Sequence, residues 1–349
     1  MNAPLSILRV GVVSPLGIGF DAFSQALRAP RQPDQRGTGA RRIDSFDAAQ
    51  LLGSKGTSTL DRMTQLAIVA TGQVLAGAQL PAPRRGAAGI VLGSTSGGLG
   101  SIAGFVRTTY TAAQPHLVSP MLFPNTVMNC AAGQAAIWHG LKGTNASVCA
   151  GDLSGMAALQ YAARMLHGGH AQDLVAGAVE EHSDFIEAMH RAQPGASVPF
   201  AEGGAVFLLR RDAEPGTALA AIHGMRVRVL RDPADPGRAQ AALARAVASL
   251  LADARVRGAD LRWWSGHGHS SLAVQRAVLD GLDAAPALAA LPDSAVERCG
   301  DSAGAGTALQ LAAALALAPQ GLGLLTAISP QGMLGCMLVD KHSAERQAR

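Results

Sequence analysis

Aromatic residues make up only 4% of this 349-residue chain, and its lysines are confined to Lys55, Lys142 and Lys341. Arginine therefore carries nearly all the positive charge. No basic stripe interleaved with aromatics is present, which argues against a nucleic-acid partner. The four cysteines, Cys130, Cys149, Cys299 and Cys336, show no CxxC spacing and no histidine at metal-ligand spacing. Neither a metal site nor a cofactor is expected. The most apolar run, LQLAAALALA from Leu309 to Ala318, is too short to span a bilayer. The first residues lack a charged region leading into an apolar core, so no signal peptide is expected. These absences point to a soluble, cytoplasmic protein without a membrane partner.

What the chain does have is core-forming material. It is 48% hydrophobic and 15% charged, so it can bury a large interior and is not disordered. Its length suggests two domains, or one large fold with an internal duplication. The formal net charge of +4 suits an acidic protein partner or an anionic substrate.

Strand-like and helix-like stretches alternate. ILRVGVV reads as a strand, FDAFSQALRA as a helix, and Pro30 to Ala40 as a loop. MTQLAIVATGQVLAGA has helical spacing. GIVLGSTSGG, from Gly89 to Gly98, is a buried strand ending in a polar turn. VMNCAAGQAAIWHGL reads as a helix and ASVCA as a short buried strand. A helix after Asp152, the strand DLVAGAVEE and the strand AVFLLRRD follow. EPGTA then marks a boundary, dividing residues 1–213 from 214–349. Beyond it come AAIHGMRVRVLRD as a strand and GRAQAALARAVASLLADARV as an amphipathic helix. LRWWSGHGHSS is a strand with a polar turn. SAGAGTALQLAAALALA is a buried helix, and LGLLTAIS and GCMLVDK close as strands. Apolar strands alternating with helices argue for an α/β fold with covered sheets, and the similar halves suggest duplication.

A sharp turn between ASVCA and its following helix is a place where enzymes hold nucleophiles. Cys149 precedes this turn and Asp152 lies on it. Asp152 reads either as a helix N-cap, worth ~1 kcal/mol, or as a functional carboxylate. Cys149 reads as a core cysteine of the strand. Trp263 and Trp264 read as core or interface, and His269 as a solvated turn residue.

Several of these stretches resemble the β-ketoacyl synthases of the thiolase-like fold. GVVSPLG is similar to the family's opening strand and turn, and GIVLGSTSGGLG to its second. SPMLFPNTVMNCAAGQAAIWHGLKGTN carries FPN, AAGQ and GLKG in the family's order. The segment Asn145 to Glu181 is similar to the one bearing the nucleophile, and GHGHSS to the region of the first catalytic histidine. The likeness covers nearly the whole chain. It implies a duplicated fold of two related halves, with central mixed sheets covered by helices in α-β-α-β-α layers.

The resemblance also implies departures at the site. Counting back from Ser154-Gly155, the nucleophilic cysteine's position is held by Asp152. The first histidine falls on His267. The second falls in the turn Gly300-Asp301-Ser302-Ala303-Gly304, where Asp301 replaces it, and the usual lysine is absent. The glycine-rich C-terminal loop reads Ser329-Pro330-Gln331-Gly332-Met333-Leu334, and the segment before AEGGAVFLL is shortened to VPF. Condensation needs a thiolate, two neutral histidines and an oxyanion hole. An aspartate is a poor acyl carrier, and a second one puts negative charge where an enolate must form. Asp301 reads either as a helix cap or as a carboxylate orienting His267.

The expected function is therefore a ketosynthase-like subunit without the nucleophile. It resembles the chain length factors of type II polyketide systems and the similar subunits of aryl-polyene pathways. Such a subunit pairs with an active ketosynthase and shapes its acyl tunnel. The expected partners are that ketosynthase, or a second copy of the chain, and an acidic acyl carrier protein. The alternative is a diverged enzyme using Asp152, His267 and Asp301 for acyl transfer, hydrolysis or decarboxylation of a malonyl thioester. His267 is the strongest single candidate for residual chemistry.

Overall fold

The computed structural model describes residues 3–30, 41–192, 198–214, 216–232, 234–268, 271–283, 288–291 and 294–342. Most of the expected loop from Pro30 to Ala40, and the expected turn residue His269, lie outside them. The first part of the chain runs β1 (Leu5–Ser14), β2 (Gly17–Ile18), α1 (Phe20–Arg28), α2 (Ala48–Leu52), α3 (Arg62–Ala78), α4 (Ala82–Ala87) and β3 (Gly89–Gly93). Next come α5 (Leu99–Thr111), a 3₁₀ segment (Pro120–Thr126), α6 (Cys130–His139), β4 (Asn145–Val148), α7 (Ser154–His167), β5 (Asp173–Glu180), α8 (Asp184–Arg191) and β6 (Gly203–Arg210). The remainder runs β7 (Ala220–Val229), α9 (Pro236–Ala254), β8 (Trp263–His267), α10 (Leu272–Asp280), β9 (Ala289–Leu291), α11 (Ser294–Cys299), α12 (Gly306–Leu317), β10 (Gly321–Ile328) and β11 (Met333–Lys341).

Local chemistry sets several of these starts. Asp61 caps α3 by accepting from the Thr64 N–H at 2.8 Å. Asp235 caps α9 through the Gly237 and Arg238 N–H groups, with Pro236 at the first helical position. β5 is buried along its whole length, as a strand covered on both faces must be.

The strands order as β4-β3-β5-β6-β1-β7-β11-β10-β8-β9, with β2 paired to β1. The centre of this order is a short antiparallel junction, Leu5–Ile7 of β1 against Ala220–Ile222 of β7. Outward from it, β1-β6-β5-β3-β4 and β7-β11-β10-β8-β9 follow the same rule: two antiparallel pairings, then two parallel ones. The duplication suspected from the sequence is thus written in the strand pairing.

Helices form three layers around these half-sheets. One core cluster places α3 and α6 against β3, another places α9 and α10 against β8, β10 and β11, and the largest holds α7 and α12 between the halves. The two central helices touch closely. The Thr307 hydroxyl accepts from the Met156 N–H at 2.9 Å, and a Cβ on Gly155 would stand 2.9 Å from the Ala308 nitrogen. The mixed sheets and flanking helices match the fold expected from the sequence. Trp263 and Trp264 are core residues, their indole N–H groups bonded to Gly321 O and Thr326 Oγ1. Among the described residues, no helix is long and apolar enough to cross a membrane.

One strand departs from expectation. ASVCA is expected to be buried, yet β4 alternates exposed and half-buried residues. It lies at the end of the strand order with β3 as its neighbour, and among the described residues no strand covers its outer edge.

Candidate functional site

The turn Cys149–Leu153 links this edge strand to α7. Gly151 takes a left-handed conformation, φ +52°, which suits glycine. The Ser154 hydroxyl clamps the turn. It lies 2.6 Å from Gly151 O, and its oxygen accepts from the Ala150 N–H at 3.0 Å. Leu153, not Asp152, is the residue preceding the helix, and no side chain caps it. The N-cap reading of Asp152 is therefore corrected: the turn sets the helix start one residue later.

Asp152 instead faces the loop after β10. Burial raises its carboxyl above the usual range, and the negative charge of Asp301 adds to this. The charge of His267 and hydrogen bonds from Ser329 and Gln331 act the other way. His267 and Asp301, each more than a hundred residues away in sequence from Asp152, thus both lie within electrostatic reach of it. Ser329 and Gln331 are hydrogen-bonded to each other as well. A cavity of about 340 Å³, lined by Pro236, Ser271, Val274, Ser329 and Pro330 among others, opens beside this loop.

His267 is the last residue of β8 and is buried. Its ring lies against Gly306, the first residue of α12, and its carbonyl accepts from Gln275 Nε2 at 2.7 Å. Asp301 is pinned by its backbone, donating to Pro199 O and accepting from the Ala201 N–H. Its Oδ1 accepts from the Ala303 N–H at 2.8 Å, but Ser302 is the residue preceding the 3₁₀ turn at Ala303–Ala305 and no side chain caps that turn, so the bond closes a tight turn one residue ahead of it. Its Oδ2 stands 4.0 Å from His190 Nδ1 on α8, a neighbour not foreseen from the sequence.

Cys149 also requires correction. It is exposed, with its thiol donating to Thr95 O at 2.9 Å, because the strand before it is an edge. Cys130, Cys299 and Cys336 are the buried thiols, and burial pushes Cys299 and Cys336 up to about 12. Among the described residues, no cluster of His, Cys, Asp and Glu is placed to hold a metal.

Two glutamates escaped the sequence reading. Glu180 and Glu181 end the strand DLVAGAVEE, and both are buried. Glu180 accepts from the Thr95 N–H and from the Ser94 hydroxyl. Thr95 Oγ1 in turn accepts from the Gly304 N–H at 2.7 Å, tying the Asp301 loop to β5. Burial lifts each carboxyl to about 7. Adjacent acids closing an apolar strand were the available signal.

An apolar surface spans α5, the 3₁₀ segment and α6. Tyr110 of α5, Met121, Leu122 and Phe123 of the 3₁₀ segment, and Ile137 of α6 are all exposed. Phe105 meets Phe123 edge-to-face, with centroids 6.0 Å apart. This face adjoins the open edge of β4 through α6, which contacts both β3 and β4.

Residues 19–214 match the β-ketoacyl synthase N-terminal domain family. A 3-oxoacyl-[acyl-carrier-protein] synthase 2 of Vibrio harveyi is 33% identical over 144 residues, which cover 40% of this chain and 34% of that protein. The match to the corresponding enzyme of Vibrio cholerae also covers 34% of its length, so the chain spans about a third of these relatives. The solved structure of the ishigamide ketosynthase/chain length factor is 28% identical, with a TM-score of 0.83 over 97% of this chain and all of that one. A type II polyketide acyl-carrier protein in complex with its ketosynthase shares the fold, with a TM-score of 0.81 at 17% identity over 98% of this chain and all of that one.

Proposed function

The chain belongs to the β-ketoacyl synthase family, and from that premise we propose that it is a non-condensing subunit that pairs with an active ketosynthase and shapes its acyl tunnel. The observation that carries this reading is the turn before α7. The side chain it presents to Ser329 and Gln331 is the carboxylate of Asp152, while its thiol, Cys149, is exposed and bonded to Thr95 O. A carboxylate at that point leaves no thiolate to hold a growing chain. Asp301, adding negative charge, opposes enolate formation in the same place.

The open edge of β4 and the apolar face beside it supply a surface for the partner. Unpaired backbone groups favour strand addition, and exposed aromatic and aliphatic side chains favour burial. The natural occupant is a ketosynthase subunit, giving a cytoplasmic heterodimer served by an acyl carrier protein in polyketide or polyene synthesis. The repeat of strand pairing supports dividing the chain into related halves at 1–213 and 214–349. The test is co-expression with a tagged ketosynthase from the same gene neighbourhood, read by native mass spectrometry and product length. A one-to-one heterodimer that makes longer chains only when intact supports the proposal. A homodimer indifferent to the ketosynthase overturns it.

A second reading rests on the convergence of Asp152, His267 and Asp301. A carboxyl raised by burial and by a second acid is a candidate proton donor. On this reading the chain hydrolyses, transfers or decarboxylates an acyl or malonyl thioester. Turnover by the isolated chain that disappears in His267→Ala would favour it.

A further inference from the structure

The start of α5 hangs on two neighbouring carboxylates. On one side, Ser94 Oγ accepts from the Gly97 N–H at 2.8 Å and the Ser96 N–H at 3.3 Å, while its hydroxyl donates to Glu180 Oε2 at 3.0 Å. On the other, Glu181 Oε1 accepts from the Gly100 N–H at 2.8 Å and its Oε2 from the Met63 N–H at 3.3 Å. Gly98 precedes α5 without a side-chain cap, so Glu181 holds a first-turn N–H, that of Gly100, which the helix itself leaves unmatched, and Ser94 holds the two amides just ahead of it. Glu180 also holds the Thr95 N–H, and Thr95 reaches three further points: Cys149 Sγ, Gly151 O and Gly304 N.

A hydroxyl has one proton to give and two lone pairs. With Glu180 ionised, Ser94 gives its proton to the carboxylate and keeps both lone pairs for Ser96 and Gly97. With Glu180 protonated at Oε2, the carboxyl must donate to Ser94. Three donors then compete for two lone pairs, and one amide bond ahead of α5 is lost. Protonating Glu181 likewise removes an acceptor from either Gly100 or Met63.

We propose that Glu180 and Glu181 form a proton-operated latch that fastens the first turn of α5 and connects it through Thr95 to the turn bearing Asp152. The charges around the latch are known. Asp61 and Glu202 oppose ionisation of Glu181, and Glu202 is itself paired with Arg62 at 2.5 Å and accepts from the His182 N–H. On the Thr95 side stand Asp152 of the turn and Asp301 beside Gly304. α8, packed against α5, brings Asp184 and Glu187, the latter bonded to the His182 ring. Both latch carboxyls sit near 7, so the device works around neutrality.

The test is amide hydrogen exchange of the full chain between pH 5.5 and 8.5, corrected for the intrinsic pH dependence of exchange. Segment 94–104 is expected to exchange about tenfold faster at the acid end, the worth of one lost hydrogen bond, with a transition near neutrality. α12 is expected to stay unchanged. Glu180→Gln with Glu181→Gln is expected to exchange fast in this segment at every pH. A flat wild-type profile, or an unchanged transition in the double variant, overturns the proposal. Should the variant fail to fold, carbon-13 titration of the wild-type glutamates decides. Two carboxyls must titrate near neutrality together with the amides of Thr95, Gly97 and Gly100; carboxyls titrating below pH 5, or amides that stay still, overturn it.

Discussion

Gly306 and His267 are in such close register that a Cβ on the glycine would stand 2.5 Å from both Cε1 and Nε2 of the imidazole. The ring is buried, so it has little room to retreat. Gly306→Ala is expected to push His267 out of place and to cost about 1–3 kcal/mol through overpacking. Thermal melts measure the loss. The ring's own NMR signals should shift more than those of His139, which bonds Ile68 O on the far side of the N-terminal half-sheet.

The buried glutamates give stability a defined pH dependence. Glu180 has its carboxyl raised from 4.5 to about 7. Between those values the folded chain binds more protons than the unfolded one, so this group's contribution falls as pH rises through that window and levels off above it. Glu180→Gln removes the group's titration. Its melting temperature should therefore fall less than the wild type's between pH 5 and pH 8, as calorimetry would reveal.

The thiols should divide sharply. Cys149 is exposed and should react with a maleimide within minutes, while Cys299 and Cys336, buried and raised to about 12, should remain unlabelled until the chain unfolds. Pairing over the β4 edge should slow the labelling of Cys149. Acylation of Cys149 by an acyl thioester in the folded chain would contradict the proposal that this thiol is inert in chemistry.

Restoring a cysteine should not restore condensation. Asp152→Cys is expected to form an acyl-enzyme but no β-keto product, because Asp301 and the Ser329–Leu334 loop remain. Intact-protein mass spectrometry and product analysis separate the two steps. Condensation at a rate matching an active ketosynthase would overturn the reading of Asp301 as an obstacle.

The apolar face can be tested without disturbing the core. Ile137 is 74% exposed and Phe123 57%. Ile137→Glu and Phe123→Asp should change stability by about 0.5 kcal/mol or less, as surface substitutions do. Each should nevertheless weaken capture of the ketosynthase severalfold, or more, in a pull-down with a quantified tag.

The alternation of strands and helices was readable because nearly every strand is an unbroken apolar run and nearly every helix has its own stripe. β4 misled because a short apolar run looks alike at the centre and at the edge of a sheet; only the partner count separates them. The error about Cys149 followed from the error about its strand. Of the two readings open for Asp152, the cap fails because a cap depends on backbone angles, and the chain bends at Gly151 so that Leu153 takes that place. Asp301 also stands one residue short of a cap, because Ser302 precedes the 3₁₀ turn and Asp301 Oδ1 serves only the Ala303 amide. Its approach to His190 was not legible, because that contact joins segments more than a hundred residues apart.

The strand pairing of β1 has a consequence for synthesis. Ser6 pairs with Arg210 and Leu5 with Ile222, so β1 has its long-range neighbours about 200 residues downstream. At 5–20 residues per second, a ribosome leaves β1 waiting for roughly ten to forty seconds. Over that interval β3, β4 and β5 can already join in parallel, since all three are made before β6. The nascent chain thus starts this sheet from the outer edge and closes it at the middle, and β1 is the strand most in need of shelter on the way.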